Sequence, residues 1–291
     1  KDFIMKKTIL LSALLISSFS CIKEKGQDCG TIMITADWGN LPKCNDMRFI
    51  FYPDNGERPI NYTIKSGIYT FNLPQGKYKV LFFNNDTKNI LFQNIDRYEF
   101  ATASVMPVSK AGITVNQPDM LYGTAIDEII IEEGKSAENK VKIYPYTKNI
   151  VANINIPEEE RPQVNTITAQ LKGISSSVLL SARRSVLENI PAETLMNTQV
   201  QLDGNLTMTC TTFGPANDKS SSTSEVTSVI EINTTYKNNT RKTITADVTT
   251  VLENIREEEN LNQAVIGLKD MGIYVAVSGW KPGTASGSIN K

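Results

Sequence analysis

Short segments in which apolar and polar residues alternate run along most of this chain, and they limit what it can fold into. A period of two places every second side chain on the same face of a β-strand. Residues 31–36, 165–171 and 206–210 follow this pattern, and clusters of Pro, Gly, Asn and Asp separate such segments. The sequence therefore predicts an all-β protein built from many short strands.

Two pairs of segments carry clear turn signals. Residues 68–83 contain two alternating segments on either side of Pro74-Gln75-Gly76, which predicts a hairpin because Pro fixes φ and Gly accepts positive φ. Residues 226–248 contain two more, separated by Lys237-Asn238-Asn239. Helical periodicity is sparse, and only residues 251–257 favour a short helix.

Two domains are expected from the spacing of these strands. The regular series pauses between Tyr146 and Lys148, and a second series of strands follows. Many short strands at turn-rich spacing are typical of β-sandwiches. The sequence therefore predicts two tandem β-sandwich domains, at residues 29–146 and 147–291.

Composition excludes several classes of function. The chain has 30 Lys and Arg residues against 31 Asp and Glu residues, so no basic excess supports nucleic-acid binding. It contains no His, which excludes Ser-His-Asp and Cys-His catalysis and any zinc site that uses His. Its acidic runs, such as 158–160 and 257–259, are typical of solvated turns. We therefore expect no enzyme, no metal site and no cofactor.

The N-terminal residues indicate export. Lys6 and Lys7 precede an apolar run at 8–16 and the small residues of Ser17-Ser18-Phe19-Ser20, in the order of a signal peptide. The apolar run is too short to span a bilayer. Cys21 follows directly, which is similar to the lipobox of bacterial lipoproteins. We expect residues 1–20 to be a signal peptide, Cys21 to carry lipid and 21–28 to form a tether to a membrane.

Three further cysteines lie in the exported part. Cys29 and Cys44 flank the first predicted strand, and exported proteins fold where close thiols can oxidise. A Cys29–Cys44 disulfide is therefore a candidate, although spacing alone does not establish the geometry. Cys210 lies in an alternating segment and is expected to be a buried free thiol.

Several sequence blocks together carry a resemblance to a known family. The blocks are Asp37-Trp38, residues 47–53 with Gly56, Leu73-Pro74-x-Gly76-x-Tyr78-x-Val80, Phe83-Asn84-Asn85, residues 167–175, Thr212-Phe213-Gly214, Ala246-Asp247-Val248-Thr249 and Val275-x-Val277-x-Gly279-Trp280. In this order they resemble the fimbrial-anchor and minor-fimbrillin lipoproteins of the Bacteroidetes, and the resemblance covers most of the mature chain.

This resemblance implies a fold and a function. It implies two transthyretin-like, Greek-key sandwich domains in a lipoprotein of the outer membrane, exposed at the cell surface. It also implies a non-enzymatic anchor or accessory subunit of a fimbria, with other fimbrial subunits as partners. Such subunits assemble when a strand of one enters a groove of the next, and main-chain hydrogen bonds supply the affinity.

A surface glycan-binding lipoprotein is the alternative from another class. Sugar sites use exposed aromatic platforms, and the candidates are Trp38, Trp280, Tyr122, Tyr144 and Tyr146. An aromatic residue at the end of a strand more commonly closes the end of a sandwich core. The sequence therefore favours adhesion over glycan binding.

Overall fold

The computed structural model describes residues 28–65, 69–108, 114–185, 191–216, 226–257, 263–269 and 272–276. Most of these residues lie in strands, so the prediction of an all-β chain is confirmed. The short helix expected at 251–257 is also confirmed, as α1 (Thr249–Glu257). The strands of the first half are β1 (Cys29–Asp37), β2 (Asp46–Pro53), β3 (Ile60–Lys65), β4 (Tyr69–Pro74), β5 (Gly76–Asn84), β6 (Ile90–Gln93), β7 (Thr102–Val105), β8 (Tyr122–Ile131), β9 (Ser136–Lys142) and β10 (Tyr144–Pro145).

The second half continues in the same manner, with strands separated by turns. Its strands are β11 (Lys148–Asn155), β12 (Val164–Ile174), β13 (Ser177–Leu179), β14 (Arg184–Ser185), β15 (Ala192–Val200), β16 (Asn205–Thr212), β17 (Val229–Tyr236), β18 (Arg241–Asp247), β19 (Gln263–Lys269) and β20 (Gly272–Ala276).

A three-stranded sheet and a five-stranded sheet enclose one core in the first half. Their strand orders are β4–β1–β9 and β10–β8–β5–β2–β3. Aromatic rings fill much of the core: the Phe49 ring stacks on that of Phe82 with centroids 4.4 Å apart and contacts that of Phe71 at 4.8 Å. We call this buried group, which includes Ile32 and Ile34, the first core.

The central strands of the five-stranded sheet are buried on both faces. Their inner residues lie in the first core, and their outer residues are covered by residues 90–105. The Tyr52 ring contacts that of Tyr98 at 5.5 Å, and the Phe83 ring stacks on that of Phe92 at 4.6 Å. Burial on both faces explains why β2 and β5 are continuously apolar where they are buried.

The hairpin predicted at residues 68–83 is wrong. β4 pairs with β1, whereas β5 pairs with β2 and β8, so Pro74-Gln75-Gly76 connects one sheet to the other. Alternation in both segments was read correctly, because Phe71 and Phe82 meet in the first core from opposite sheets. The hairpin predicted within residues 226–248 is confirmed, since β17 and β18 pair antiparallel.

An eight-stranded sheet forms most of the second half. Its order is β18–β17–β12–β15–β16–β11–β19–β20. Apolar residues of this sheet and of α1 form a second core, with Leu171, Met208, Ile230 and Leu252 almost fully buried. Gly173 forms a bulge in β12 with φ of 73°, where a Cβ atom would meet the carbonyl oxygen of Thr227.

A four-stranded sheet, β14–β13–β7–β6, takes strands from both halves. The predicted domain boundary at residues 146 and 147 lies between β10 and β11, but segment 90–121 crosses it. Ala103 pairs with Val178, and the Tyr146 hydroxyl donates to the carbonyl oxygen of Leu180 at 2.6 Å. The second core therefore continues from the second half to the outer face of the five-stranded sheet.

The two halves repeat one strand arrangement. In each, the first strand (β1 or β11) pairs antiparallel with one neighbour (β4 or β16) and parallel with the other (β9 or β19). In each, the second strand (β2 or β12) lies between β3 and β5, or between β15 and β17. In the first half β5 then pairs with β8, and in the second half its equivalent, β17, pairs with β18. A strand position in one half can therefore be compared with the equivalent position in the other half.

Candidate strand-acceptor edge

Strand β9 lies at an edge of the three-stranded sheet. It runs parallel to β1 over seven paired positions, from Thr31 opposite Ser136 to Asp37 opposite Lys142. At the two ends, the amide of Thr31 donates to the carbonyl oxygen of Lys135 and the amide of Ile143 donates to that of Asp37, each at 2.9 Å. Within the described ranges, no strand pairs with the other edge of β9.

The backbone of this edge is directed outward at alternate residues. In an extended strand, the N–H and C=O groups of one residue point to one side and those of the next point to the other. Because Lys135 and Ile143 are directed towards β1, the even-numbered residues of β9 are directed away from it. The peptide groups of Ser136, Glu138 and Lys140 therefore face the outer edge.

Charged side chains of β9 reach back to β1. The Lys140 ammonium lies 3.4 Å from the Asp37 carboxylate, and the hydroxyl of Thr35 donates to the carboxylate of Glu138 at 3.4 Å. The pKa of Asp37 is lowered, first by the amide of Gly39 and then by Lys140. These contacts stabilise the β1–β9 pair on its solvent face and do not cover the outer edge.

The core-facing side chains of β9 are less covered than those of β19, which is the equivalent strand of the second half. Ala137 lies opposite Ile32 and shares its core face, yet it is exposed. Ala264 on β19 lies opposite Ile150 in the equivalent position and is fully buried. Strand β20 lies alongside β19, whereas β9 has no such neighbour among the described residues. The first half thus has an open position where the second half has a strand.

The sequence located this element only in part. The apolar and β-branched residues within 140–144 predict a strand there, and the structure begins that strand at Ser136. The signal that was missed is the charge of Ser-Ala-Glu-Asn-Lys-Val-Lys, because charged residues, Lys above all, are typical of edge strands.

Most aromatic candidates for a glycan platform lie in the interior. Trp38 and Tyr122 are 7% and 3% exposed and contact each other edge to face in the first core. Tyr146 is also buried, and burial raises its pKa. Tyr144 is half-buried in a cavity of about 400 Å³, with the Arg183 guanidinium 3.7 Å from its ring centroid. Trp280 lies outside the described residues.

The expected Cys29–Cys44 disulfide is wrong, because Cys44 is a free thiol. Cys44 packs against the first core near Tyr69, whose pKa is raised by burial and then by Cys44, and Tyr69 pairs with Ile34 on β1. Five residues of extended chain, roughly 16 Å, separate Ile34 from Cys29, far beyond the reach of a disulfide. Cys210 is a buried free thiol as expected, and burial raises its pKa to about 12. Cys21 lies outside the described residues.

The described ranges contain no group of three or more acidic or Cys side chains that could hold a metal ion. No helix among the described residues is both long and apolar enough to cross a bilayer.

Comparison with known proteins gives one family and one curated relative. The model of the family described as domain of unknown function DUF5119 matches residues 22–197. A Bacteroides ovatus protein named as a candidate fimbrium anchoring subunit, Fim4B, is 26% identical over 197 residues, which are 63% of this chain and 58% of that protein. The chain thus spans little more than half the length of that relative.

Two solved structures have similar folds. A candidate adhesin from Bacteroides ovatus has a TM-score of 0.59 at 21% identity, covering 77% of this chain and 84% of its own. The fimbrial anchor protein Mfa2 from Porphyromonas gingivalis has a TM-score of 0.56 at 12% identity, covering 86% and 97%. The resemblance to fimbrial-anchor proteins is confirmed. By the extent of its match, the chain belongs to the DUF5119 family.

Proposed function

We propose that this protein is a non-enzymatic surface lipoprotein that anchors or accompanies a fimbria and binds a fimbrial subunit by strand addition at β9. The name of the curated relative and the fold of the fimbrial anchor support the fimbrial role. The repeated strand order supports the expectation that both halves are transthyretin-like sandwiches.

The contrast between Ala137 and Ala264 carries the proposal. The two residues occupy equivalent positions, and only Ala264 is buried, on the strand whose next residues, Val265 to Lys269, pair with β20. An added strand would accept from and donate to the peptide groups of Ser136, Glu138 and Lys140, and its side chains would cover Ala137. Backbone pairing supplies affinity in this mode of binding, and alternate side chains supply specificity.

The added strand is expected to run antiparallel to β9, as β20 runs to β19. One face of that strand would carry apolar residues directed at Ala137 and the half-buried Asn139. Its other face would meet solvent beside Glu138 and Lys140. An alternating strand from a fimbrial subunit has this chemistry.

Membrane attachment completes the proposal. Lipid on Cys21 would fix the chain to the outer membrane, and the seven residues 22–28 separate that thiol from β1. A chain of this length spans less than about 30 Å, so the start of β1 would stay near the bilayer. Several acyl chains on one cysteine give the stable attachment that a single chain lacks.

Glycan binding receives less support. Trp38, Tyr122 and Tyr146, three of its five candidate residues, are buried in the cores and present no ring face to a sugar. Strand addition requires no aromatic platform and uses groups that β9 directs outward.

Replacing Glu138 tests the edge directly. Glu138→Pro removes an amide that faces outward while leaving the amides that pair with β1, and proline is tolerated on such edges. Glu138→Ala is the matched control, since it removes the side chain and keeps the amide. Binding of the purified proteins to fimbriae from the native strain is measured by co-sedimentation, and circular dichroism verifies folding.

We expect Glu138→Pro to weaken binding about tenfold or more, because one backbone N–H group can no longer donate to the added strand. We expect Glu138→Ala to bind as the wild-type protein does. A folded Glu138→Pro protein that binds normally would exclude β9 as the contact. Failure of the wild-type protein to bind fimbriae, together with binding to a defined polysaccharide, would overturn the fimbrial role.

A further inference from the structure

We propose that β1 is the strand that carries mechanical tension in this protein and that tension between the membrane and a bound filament loads the β1–β9 pair in shear. The inference rests on the proposed function for the source of the load. It concerns how the fold resists that load, which neither the family nor the relatives assign.

The position of β1 connects the tether to the acceptor edge by the shortest route. The tether enters β1 at Cys29, and β1 pairs directly with β9. A pull on the lipid therefore reaches an added strand across two ladders only, β1–β9 and β9 with the added strand. The rest of both sandwiches lies outside this path.

The two ends of β1 lie at opposite ends of the first sandwich. Its start contacts the turn after β8, where the amide of Gly134 donates to the carbonyl oxygen of Cys29 at 3.0 Å. Its end, at Asp37, accepts from Ile143, which directly precedes β10 and the connection to the second half. Nine extended residues, about 30 Å, separate the two ends.

This separation determines the direction of the load. The tether pulls at the Cys29 end, which faces the membrane. A filament extends away from the membrane, so the added strand leaves β9 at the Lys142 end. The pull on β1 and the pull on β9 then act in opposite directions along the strand axis, which is shear.

Shear distributes the load over the whole ladder. All seven paired positions between β1 and β9 must separate together, and the six between β1 and β4 also hold β1 in place. The Lys140–Asp37 ion pair and the Thr35–Glu138 hydrogen bond cross the same interface on the solvent face. A pull applied at one end of both strands would instead break the contacts one after another.

Single-molecule pulling with two attachment geometries tests the load path. One handle is joined by a peptide tag before residue 28, and Cys29 and Cys44 are replaced by Ser. The second handle is joined to Lys142→Cys for shear or to Ser136→Cys for peeling. Both variants retain the β1–β9 ladder, and thermal unfolding monitored by circular dichroism is compared to show that their stabilities match.

We expect the Lys142→Cys protein to unfold at a force several times that of the Ser136→Cys protein, since forced unfolding depends on the unfolding rate along the pulled direction. Equal forces, or a lower force through Lys142→Cys, would overturn the load path and leave filament binding unaffected. Failure of the wild-type protein to bind fimbriae would instead overturn the proposed function and remove the load that β1 is inferred to carry.

Discussion

Leu180→Ala tests whether the two halves unfold as one unit. Leu180 is fully buried in the second core, its amide donates to the carbonyl oxygen of Ala101 at 2.9 Å, and its carbonyl oxygen accepts from Tyr146. Alanine retains both backbone contacts and removes three carbon atoms. At about 0.8 kcal/mol for each buried methylene, the transfer loss is about 2.4 kcal/mol. The remaining cavity raises the expected destabilisation to between about 3 and 5 kcal/mol.

The assay follows each half separately. Trp280→Phe leaves Trp38, buried in the first core, as the one tryptophan of the chain, so its fluorescence reports the first half. Far-UV circular dichroism reports all strands. Because the second core reaches the outer face of the five-stranded sheet, we expect Leu180→Ala to lower both urea midpoints equally.

Leu195→Ala is the control, since Leu195 is 54% exposed and its loss should change stability by less than about 0.5 kcal/mol. If the urea midpoint of Trp38 fluorescence is unchanged while circular dichroism shows an earlier transition, the two halves do not unfold as one unit. The chain would then unfold as two units that divide near the predicted boundary at residue 146.

Three further outcomes can be measured. Cys210 is fully buried, with its pKa raised to about 12, so a maleimide should label it at pH 7 only after unfolding; labelling of the native protein would contradict its burial. The pKa of Glu160 is lowered by hydrogen bonds from Lys242 and Tyr236, so its stabilisation is present above the unfolded pKa near 4.5 and is lost as pH falls through the lower folded pKa. Glu160→Gln should therefore reduce the fall in urea midpoint at acid pH, and an unchanged acid limb would exclude this contribution. Cys21→Ala should abolish incorporation of a palmitate analogue and release the protein from membranes, and retained label would place the lipid elsewhere.

Local patterns in the sequence were sufficient to identify strands with a buried face. Alternation at 165–171 and 206–210 corresponds to β12 and β16, because side chains in a strand alternate wherever one face is covered. The turn at Asn238-Asn239 was read correctly for a local reason as well. Asn239 adopts φ of 65°, and the Asn238 side chain accepts from the amide of Thr240 at 3.0 Å.

Local sequence patterns could not predict which distant segments pair with each other. The turn at Pro74–Gly76 determines only the local direction of the chain, and the choice of partner depends on β1 and β2, which lie far away in sequence. The four-stranded sheet was missed because its strands have two to four residues, too few to show a period. It joins Ala103 to Val178, 75 positions apart.

The Cys29–Cys44 prediction failed for the same physical reason. The two residues are close in sequence, but an extended strand carries the chain steadily away from its start. Flanking a strand therefore places two cysteines at its opposite ends, which argues against a disulfide unless the chain returns. Here the chain does not return, and Cys44 stays near the Ile34 end of β1 beside Tyr69.

An acceptor edge presents the hardest case for sequence reasoning, because its functional groups are peptide groups that every residue except proline possesses. The charged side chains of β9 indicate an edge strand but do not indicate that it accepts another strand, and Ala137 has the same side chain as Ala264. The difference lies in what adjoins each residue, and only a repeated arrangement makes the difference visible. In the second half, β20 pairs with Val265 to Lys269 of β19, and Ala264, directly before these residues, is fully buried. In the first half the same position is open, and the exposed alanine indicates the place at which a strand from another molecule would complete the sheet.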